Sequence, residues 1–258
     1  MDWGRLIRST LSLYARCARE TWERALGAWW LALLPFVYGP IVSIVAFFTA
    51  PLGPLAGVLV WLAMAACLGS YLYFLGEAVG GRRISAADLG ESFRAYLGPV
   101  VSVMFIIMLV RWMLAVALPP GTGSVALRTL LNLGLFVLLN PVPEILYQTR
   151  AQGLAVFGES VEFLRDNWPE WFFPLAGLGV IFVFVLPFPI LLAPLMVGRL
   201  VAVLPWSVAA LASGSLFALL FAAVSLFGLF LVMVFRGVLF RELHGGTRRQ
   251  RLFRAQFD

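Results

Sequence analysis

Six stretches of the chain are each long and apolar enough to cross lipid or nearly so: Ala28–Phe48, Pro54–Leu75, Tyr96–Leu118, Val125 to about Leu146, Phe172–Leu195 and Ser207–Phe235. Roughly 20 apolar residues in a helix cover the about 30 Å of bilayer hydrocarbon. Lipid offers no water to backbone N–H and C=O groups, so segments of this kind must satisfy themselves as helices. The expected fold is therefore all-α, a polytopic transmembrane helical bundle of about six spans. Composition agrees, since only 12% of the 258 residues are charged, about half of the roughly 25% usual for soluble domains. The fourth stretch is the weakest, because it carries Arg128, Asn132 and Asn140 and meets Pro141 and Pro143. If it only dips into the membrane, the count is five.

Arginines supply the orientation, because a Lys/Arg excess marks cytoplasmic loops. Sixteen of the nineteen fall in the N-terminal segment, the second and fourth connections and the C-terminal segment, leaving Arg111, Arg128 and Arg199 for the other side. Both termini are then expected in the cytoplasm of a bacterial-type membrane, which requires an even number of crossings and favours six. The chain divides into an interfacial amphipathic helix (1–27), a membrane domain (28–235) and a basic cytoplasmic tail (236–258). Met1–Glu23 lacks an uninterrupted apolar run and a small-residue cleavage site, so it does not read as a signal peptide.

The most strongly patterned polar segments lie on that arginine-rich side. On a 3.6-residue helix Arg5, Arg8, Ser9, Ser12, Arg16, Arg19, Glu20 and Glu23 share one face, and Trp3, Ile7, Leu11, Tyr14, Ala18, Trp22 and Ala25 the other. This pattern predicts a helix in the interface, with its apolar face in the headgroup boundary and its arginines toward anionic lipid. Before the fifth span, Leu154, Phe157, Val161, Leu164, Trp168 and Trp171 recur at helical steps opposite Glu159, Glu162, Asp166 and Glu170. Its acidic polar face predicts packing beneath the bundle. A shorter segment, Ser85–Leu97, precedes the third span, with Ser85 and Asp88 spaced as a capping pair. Gly90-Glu91-Ser92-Phe93-Arg94 echoes Gly158-Glu159-Ser160 and the Arg165 after it, and Arg24, Arg94 and Arg165 are spaced 70 and 71 apart. This reads as three repeats of an interfacial helix plus two spans; equally, any such hairpin needs about this length.

The segment Gly158-Glu159-Ser160-Val161-Glu162-Phe163-Leu164-Arg165-Asp166-Asn167-Trp168-Pro169-Glu170-Trp171-Phe172 resembles the Ser, then Arg, then Asn-Trp entry of the membrane domain fused to some glycerophosphodiester phosphodiesterases and found in related stand-alone six-helix proteins. The likeness covers Asn140–Phe235. It implies a helical bundle with a link to membrane lipids; it lends no catalytic residue, and no phosphodiesterase domain is attached.

Polar groups at membrane depth cost about 2.5–3.5 kcal/mol each on insertion scales and are functional candidates for that reason. Asn132, Asn140 and Glu144 recur at multiples of four, a polar stripe on the fourth span, and Pro141 and Pro143 beside them remove two backbone donors. A broken helix carrying a carboxylate is how several transporters build a midplane site; the other reading ends the helix at Asn-Pro-Val-Pro, with Glu144 at the cytoplasmic boundary. In the sixth span Ala210, Gly214, Ala218 and Ala222 form a small-residue seam for close helix packing.

Enzyme motifs are missing. There is no nucleophile elbow, no phosphate-binding loop with Lys and no aspartate within a span. One histidine, His244, and two well-separated cysteines, Cys17 and Cys67, exclude a His/Cys zinc site and make a disulfide improbable. No cofactor is expected, and arginines that punctuate spans do not build a nucleic-acid face. The leading expectation is a non-catalytic membrane protein that organises lipid or a membrane partner through its interfacial helices, with Trp3, Trp22, Arg24, Arg94, Arg165 and Trp168 at the interface. Its partners would be membrane lipids, another membrane protein or a second copy. The alternatives are a transporter or channel using Asn132, Asn140 and Glu144 with Pro141 and Pro143 as hinge, and a subunit of a larger complex.

Overall fold

A computed structural model describes residues 3–82, 85, 88–118, 125–149, 151–185, 214 and 216–245. These residues form α1 (Trp3–Gly27), α2 (Leu34–Thr49), α3 (Pro54–Gly80), α4 (Leu89–Ala95), α5 (Leu97–Ala117), α6 (Val125–Leu139), α7 (Val142–Gln148), α8 (Ala155–Val185) and α9 (Leu216–His244), with a 3-10 turn at Trp29–Leu33 leading into α2. The described residues contain no strand. The fold is an all-α bundle, and five stretches of it, Trp29–Leu52, Pro54–Gly80, Leu97–Ala117, Val125–Gln148 and Leu219–His244, are long and apolar enough to cross a membrane. The chain is a multi-pass membrane protein.

The centre is built by α3, α7 and α9, each of which packs on the other two. They converge at Gly237 of α9. A Cβ there would lie 2.6 Å from Val79 Cγ2 and closer still to the Tyr147 hydroxyl, so only a hydrogen leaves room for the three backbones. The outer faces of α2, α5 and α6 carry exposed apolar side chains such as Phe47, Phe48, Phe105, Trp112, Leu130 and Leu133, as a surface solvated by lipid tails should.

The helices α1, α4 and the start of α8 pack on apolar helices beside them. α4 lies on α3, the start of α8 on α6 and α7, and α1 on α9, so that Glu20 of α1 meets Arg241 of α9 at 2.6 Å. The Ser85–Asp88 pair forms one arm of its capping box, the Ser85 N–H donating to Asp88 Oδ2 at 3.2 Å.

Two expected boundaries fall elsewhere. The amphipathic segment before the fifth span and that span were read as separate; instead α8 runs unbroken from Ala155 to Val185 through Pro169 and Pro174. A helical proline strands the carbonyl four residues earlier, here Glu170 for Pro174. The Tyr14 hydroxyl of α1 donates to that carbonyl at 2.9 Å, and the helix continues. Residues 186–195 of the fifth span lie outside the described residues. At the other end, α9 continues beyond Phe235 to His244, so Arg236, expected in the tail, sits within the bundle at 1% exposure. In the small-residue seam, Ala210 lies outside the described residues and so does the Ala218 side chain. Gly214 precedes α9 with φ 61° and is exposed, while Ala222 is fully buried.

Candidate functional site

The fourth span is broken between α6 and α7, at Asn140–Pro141. Pro141 and Pro143 cannot donate to the helical ladder, which leaves carbonyls of the last α6 turn without intrahelical partners. Lipid cannot supply donors, so neighbouring helices must. The Asn140 N–H turns back to Val137 O at 3.3 Å. Ser160 of α8 donates to Leu138 O, and Arg236 of α9 donates through Nη2 to Asn140 O.

Arg236 also forms a fork with Glu144, its Nε donating to Oε1 at 2.8 Å and its Nη2 to Oε2 at 2.9 Å. Both side chains are withdrawn from solvent, at 1% and 0% exposure. Two parallel charge-assisted bonds are the geometry in which Arg and carboxylate pair most strongly, and a charge pair removed from water requires that geometry. The guanidinium carbon lies 5.2 Å from the centroid of the Trp171 ring, within cation–π range. That tryptophan donates its Nε1–H to Asn140 Oδ1 at 2.7 Å and meets Phe163 edge-on at 5.2 Å between centroids. Each polar side chain at the break is therefore oriented by a different helix.

Of the predicted stripe, Asn140 and Glu144 come together here and Asn132 does not. Asn132 is exposed on α6 and donates its amide to Arg128 O of its own helix at 2.9 Å. The break interrupts the helical periodicity that placed the three on one face. Pro141 and Pro143 are buried, as is Glu144, so the carboxylate does not sit at a solvated boundary. The residue that sequence reasoning missed is Arg236: its position directly after a long apolar run marks a topology signal as readily as a buried cation. Next to this cluster Arg236 Nη1 and the Tyr147 hydroxyl are buried without a hydrogen-bond partner among the described residues. A small apolar cavity lies nearby, lined by Leu68, Leu72, Val100, Val103, Met104, Pro143 and Leu146.

A second polar cluster joins α3 to α2 and α4. The Tyr38 hydroxyl lies 2.7 Å from Ser70 Oγ, which lies 2.6 Å from Ser92 Oγ, and Ser92 donates to Leu89 O at 2.7 Å. Thus Ser92 and Ser160, from the two Gly-Glu-Ser sequences, are both fully buried and both touch the preceding span.

Where α1 and α9 meet the end of α3, that helix stops at Gly81 in the left-handed conformation, φ 71°. Its N–H bonds Ala78 O at 3.1 Å and the Arg82 N–H bonds Glu77 O at 3.0 Å, a Schellman closure. Arg24 of α1 and Arg241 of α9 both donate to the adjacent carbonyl of Val79, placing two cations at the negative end of the helix dipole. Glu20 accepts from both arginines. Partial burial opposes its charged form, but hydrogen bonds and charge from Arg241 and Arg24 prevail and hold its carboxyl below the usual range. Burial foremost, with Glu242 and Glu20 nearby, pushes the Cys17 thiol up to about 12. Cys17 and Cys67 are both free and buried. Glu77 pairs with Arg82 at 3.1 Å.

Interfacial residues divide among environments. Trp22 and Trp168 are exposed at 54% and 60%, Arg94 is exposed, and Arg165 reaches Asp166 at 3.3 Å. Arg24 is instead part-buried in the Val79 cluster, and Trp3 opens α1 with its side chain outside the described residues. On α1 Leu13, Cys17, Thr21 and Ala25 are buried, with Ala28 just after it, while Leu11, Trp22 and Leu26, and Trp29 beyond, are exposed. In the same way α8 buries Val156, Ser160, Phe163, Leu164, Asn167 and Trp171 and exposes Val161 and Trp168, with Leu154 exposed just before it. Each segment presents one buried side to the protein and two exposed sides, one apolar and one charged. No group of three or more His, Cys, Asp or Glu side chains that could hold a metal ion occurs among the described residues. No family model matches the chain, and neither does any curated protein or solved structure.

Proposed function

We propose that the protein acts without catalysis, organising lipid or a membrane partner at the cytoplasmic surface of a bacterial-type membrane through α1, α4 and the start of α8. The observation that carries this reading is the division of α1 and α8 into one buried side and two exposed ones. A helix held to the bundle along one side, which still presents Leu11, Trp22 and Leu26, or Val161 and Trp168, outward beside charged residues, has the surface that lies in a headgroup boundary. The buried polar side chains at the break support it too, because Glu144, Asn140, Ser160 and Trp171 are engaged in holding helices together. The resemblance of 158–172 to lipid-linked membrane domains points the same way. Replacing Trp3 and Trp22 with Asp should reduce the lipid retained through mild detergent extraction and the capture of a membrane partner. Retention and capture both equal to wild type would end this reading.

A second reading, transport, draws on the broken helix and on the unpartnered Arg236 Nη1 and Tyr147 hydroxyl beside the Glu144 carboxylate. It requires uptake by reconstituted vesicles that disappears in Glu144→Gln, and an alternate state in which Glu144 meets water.

A further inference from the structure

Position along the helix fixes which residues of α1 border its outward stripe. At 100° per residue, a side chain three positions before another lies beside it on the surface. Arg8 precedes Leu11 by three and Arg19 precedes Trp22 by three, and all four are exposed. The guanidinium row Arg8, Arg19, with Arg16 further round on the water side, therefore runs along the edge of the apolar row Leu11, Trp22, Leu26. Arg19 lies 3.4 Å from Glu23, with side chains 86% and 67% exposed; a pair so open to water is weak and leaves the edge net positive.

The apolar row does not stop with α1. Through Trp29 and Leu33 it continues into Val37, Ile44, Phe47 and Phe48, the outward face of the first span. A ligand on α1 thus has its apolar part along a membrane-spanning surface and its polar part at the arginines, which is the layout of a phospholipid. On α8 the residues three positions before Val161 and Trp168 are Gly158 and Arg165. Its single arginine there is outnumbered by two exposed carboxylates, Asp166 at 3.3 Å and Glu162 alongside, which leave that edge net negative.

We infer that α1 is the face that collects anionic phospholipid, with headgroup phosphates at Arg8, Arg16 and Arg19 and acyl chains along Leu11, Trp22, Leu26 and the outer face of α2, whereas α8 has no such preference. This rests on the lipid-organising reading and narrows it to one lipid class and one edge of the bundle.

The test uses the full chain reconstituted into vesicles of equal phosphatidylglycerol and phosphatidylcholine, extracted in mild detergent, with retained lipids counted by native mass spectrometry. Wild type should retain the anionic lipid about fivefold or more over the neutral one, since each arginine near such a surface shifts occupancy by about that factor. Arg8→Gln with Arg16→Gln and Arg19→Gln should bring the ratio near one with unchanged thermal stability, because these side chains face solvent. Arg19→Gln alone should give an intermediate ratio, and Arg165→Gln should leave it unchanged. A wild-type ratio of one, a ratio the triple variant does not alter, or an equal loss in Arg165→Gln would overturn the inference. If the triple variant leaves the ratio intact while Trp3→Asp with Trp22→Asp still strips lipid, the inference fails and the lipid-organising reading survives; if wild type retains no lipid and captures no partner, both fail.

Discussion

A carboxylate and a guanidinium taken out of water lose several kcal/mol of hydration apiece, and only close, doubly bonded contact offsets that loss. Glu144 and Arg236 meet this condition with two bonds below 3 Å, and Arg236 is also held over Trp171 and against Asn140 O. Removing one partner leaves the other charged among apolar neighbours. Glu144→Met or Arg236→Met alone should each cost about 3–5 kcal/mol, seen as a large drop in the thermal unfolding midpoint in detergent. Combining Glu144→Met with Arg236→Met should cost far less than the two single changes together. Additive losses in that cycle would mean that the two side chains act independently. Glu144 was recognisable in the sequence as a costly polar residue beside two prolines. Arg236 was not, because an arginine at the end of an apolar run has the same one-dimensional context whether it points to headgroups or folds back into the bundle.

Each helix shows where local pattern suffices and where it does not. The spans α2, α3, α5 and α9 were legible because every outward position in lipid must be apolar, so length and hydropathy decide them. Amphipathicity weighs only two sides, and α1 and α8 have three. Leu11 and Leu13 look equivalent to a hydropathy scale, yet one is 60% exposed and the other 7%, the difference being made by helices distant in sequence. Prolines were similarly ambiguous. Pro141 and Pro143 end α6, whereas Pro169 and Pro174 leave α8 intact; other helices supply donors at both places, Ser160 and Arg236 at the break and the Tyr14 hydroxyl on Glu170 O. Tyr14→Phe should therefore destabilise the protein by about 1 kcal/mol, and the loss should shrink when Pro174→Ala restores an N–H for the same carbonyl. If Tyr14→Phe is equally damaging with Ala at 174, the hydroxyl serves some other purpose.

For the molecule as a whole, closure depends on α3, α7 and α9 meeting around Gly237. A methyl at that position would enter the space of Val79 and Tyr147 and force the three apart. Gly237→Ala should lower the thermal unfolding midpoint by several degrees, and Gly228→Ala, where a Cβ would meet open space, should leave it within a degree or two. Matching effects would place the convergence elsewhere. None of this close approach was visible in the sequence, where Gly237 is one of 24 glycines; that the chain holds several apolar spans was visible, their order of contact was not. That order has a bearing on biosynthesis. Glu20 and Arg241 stand 221 positions apart, so at roughly 5–20 residues per second the ribosome needs tens of seconds after making α1 to supply the helix it rests on. During that interval Glu20 lacks Arg241 and the side of α1 that packs on α9 has no partner.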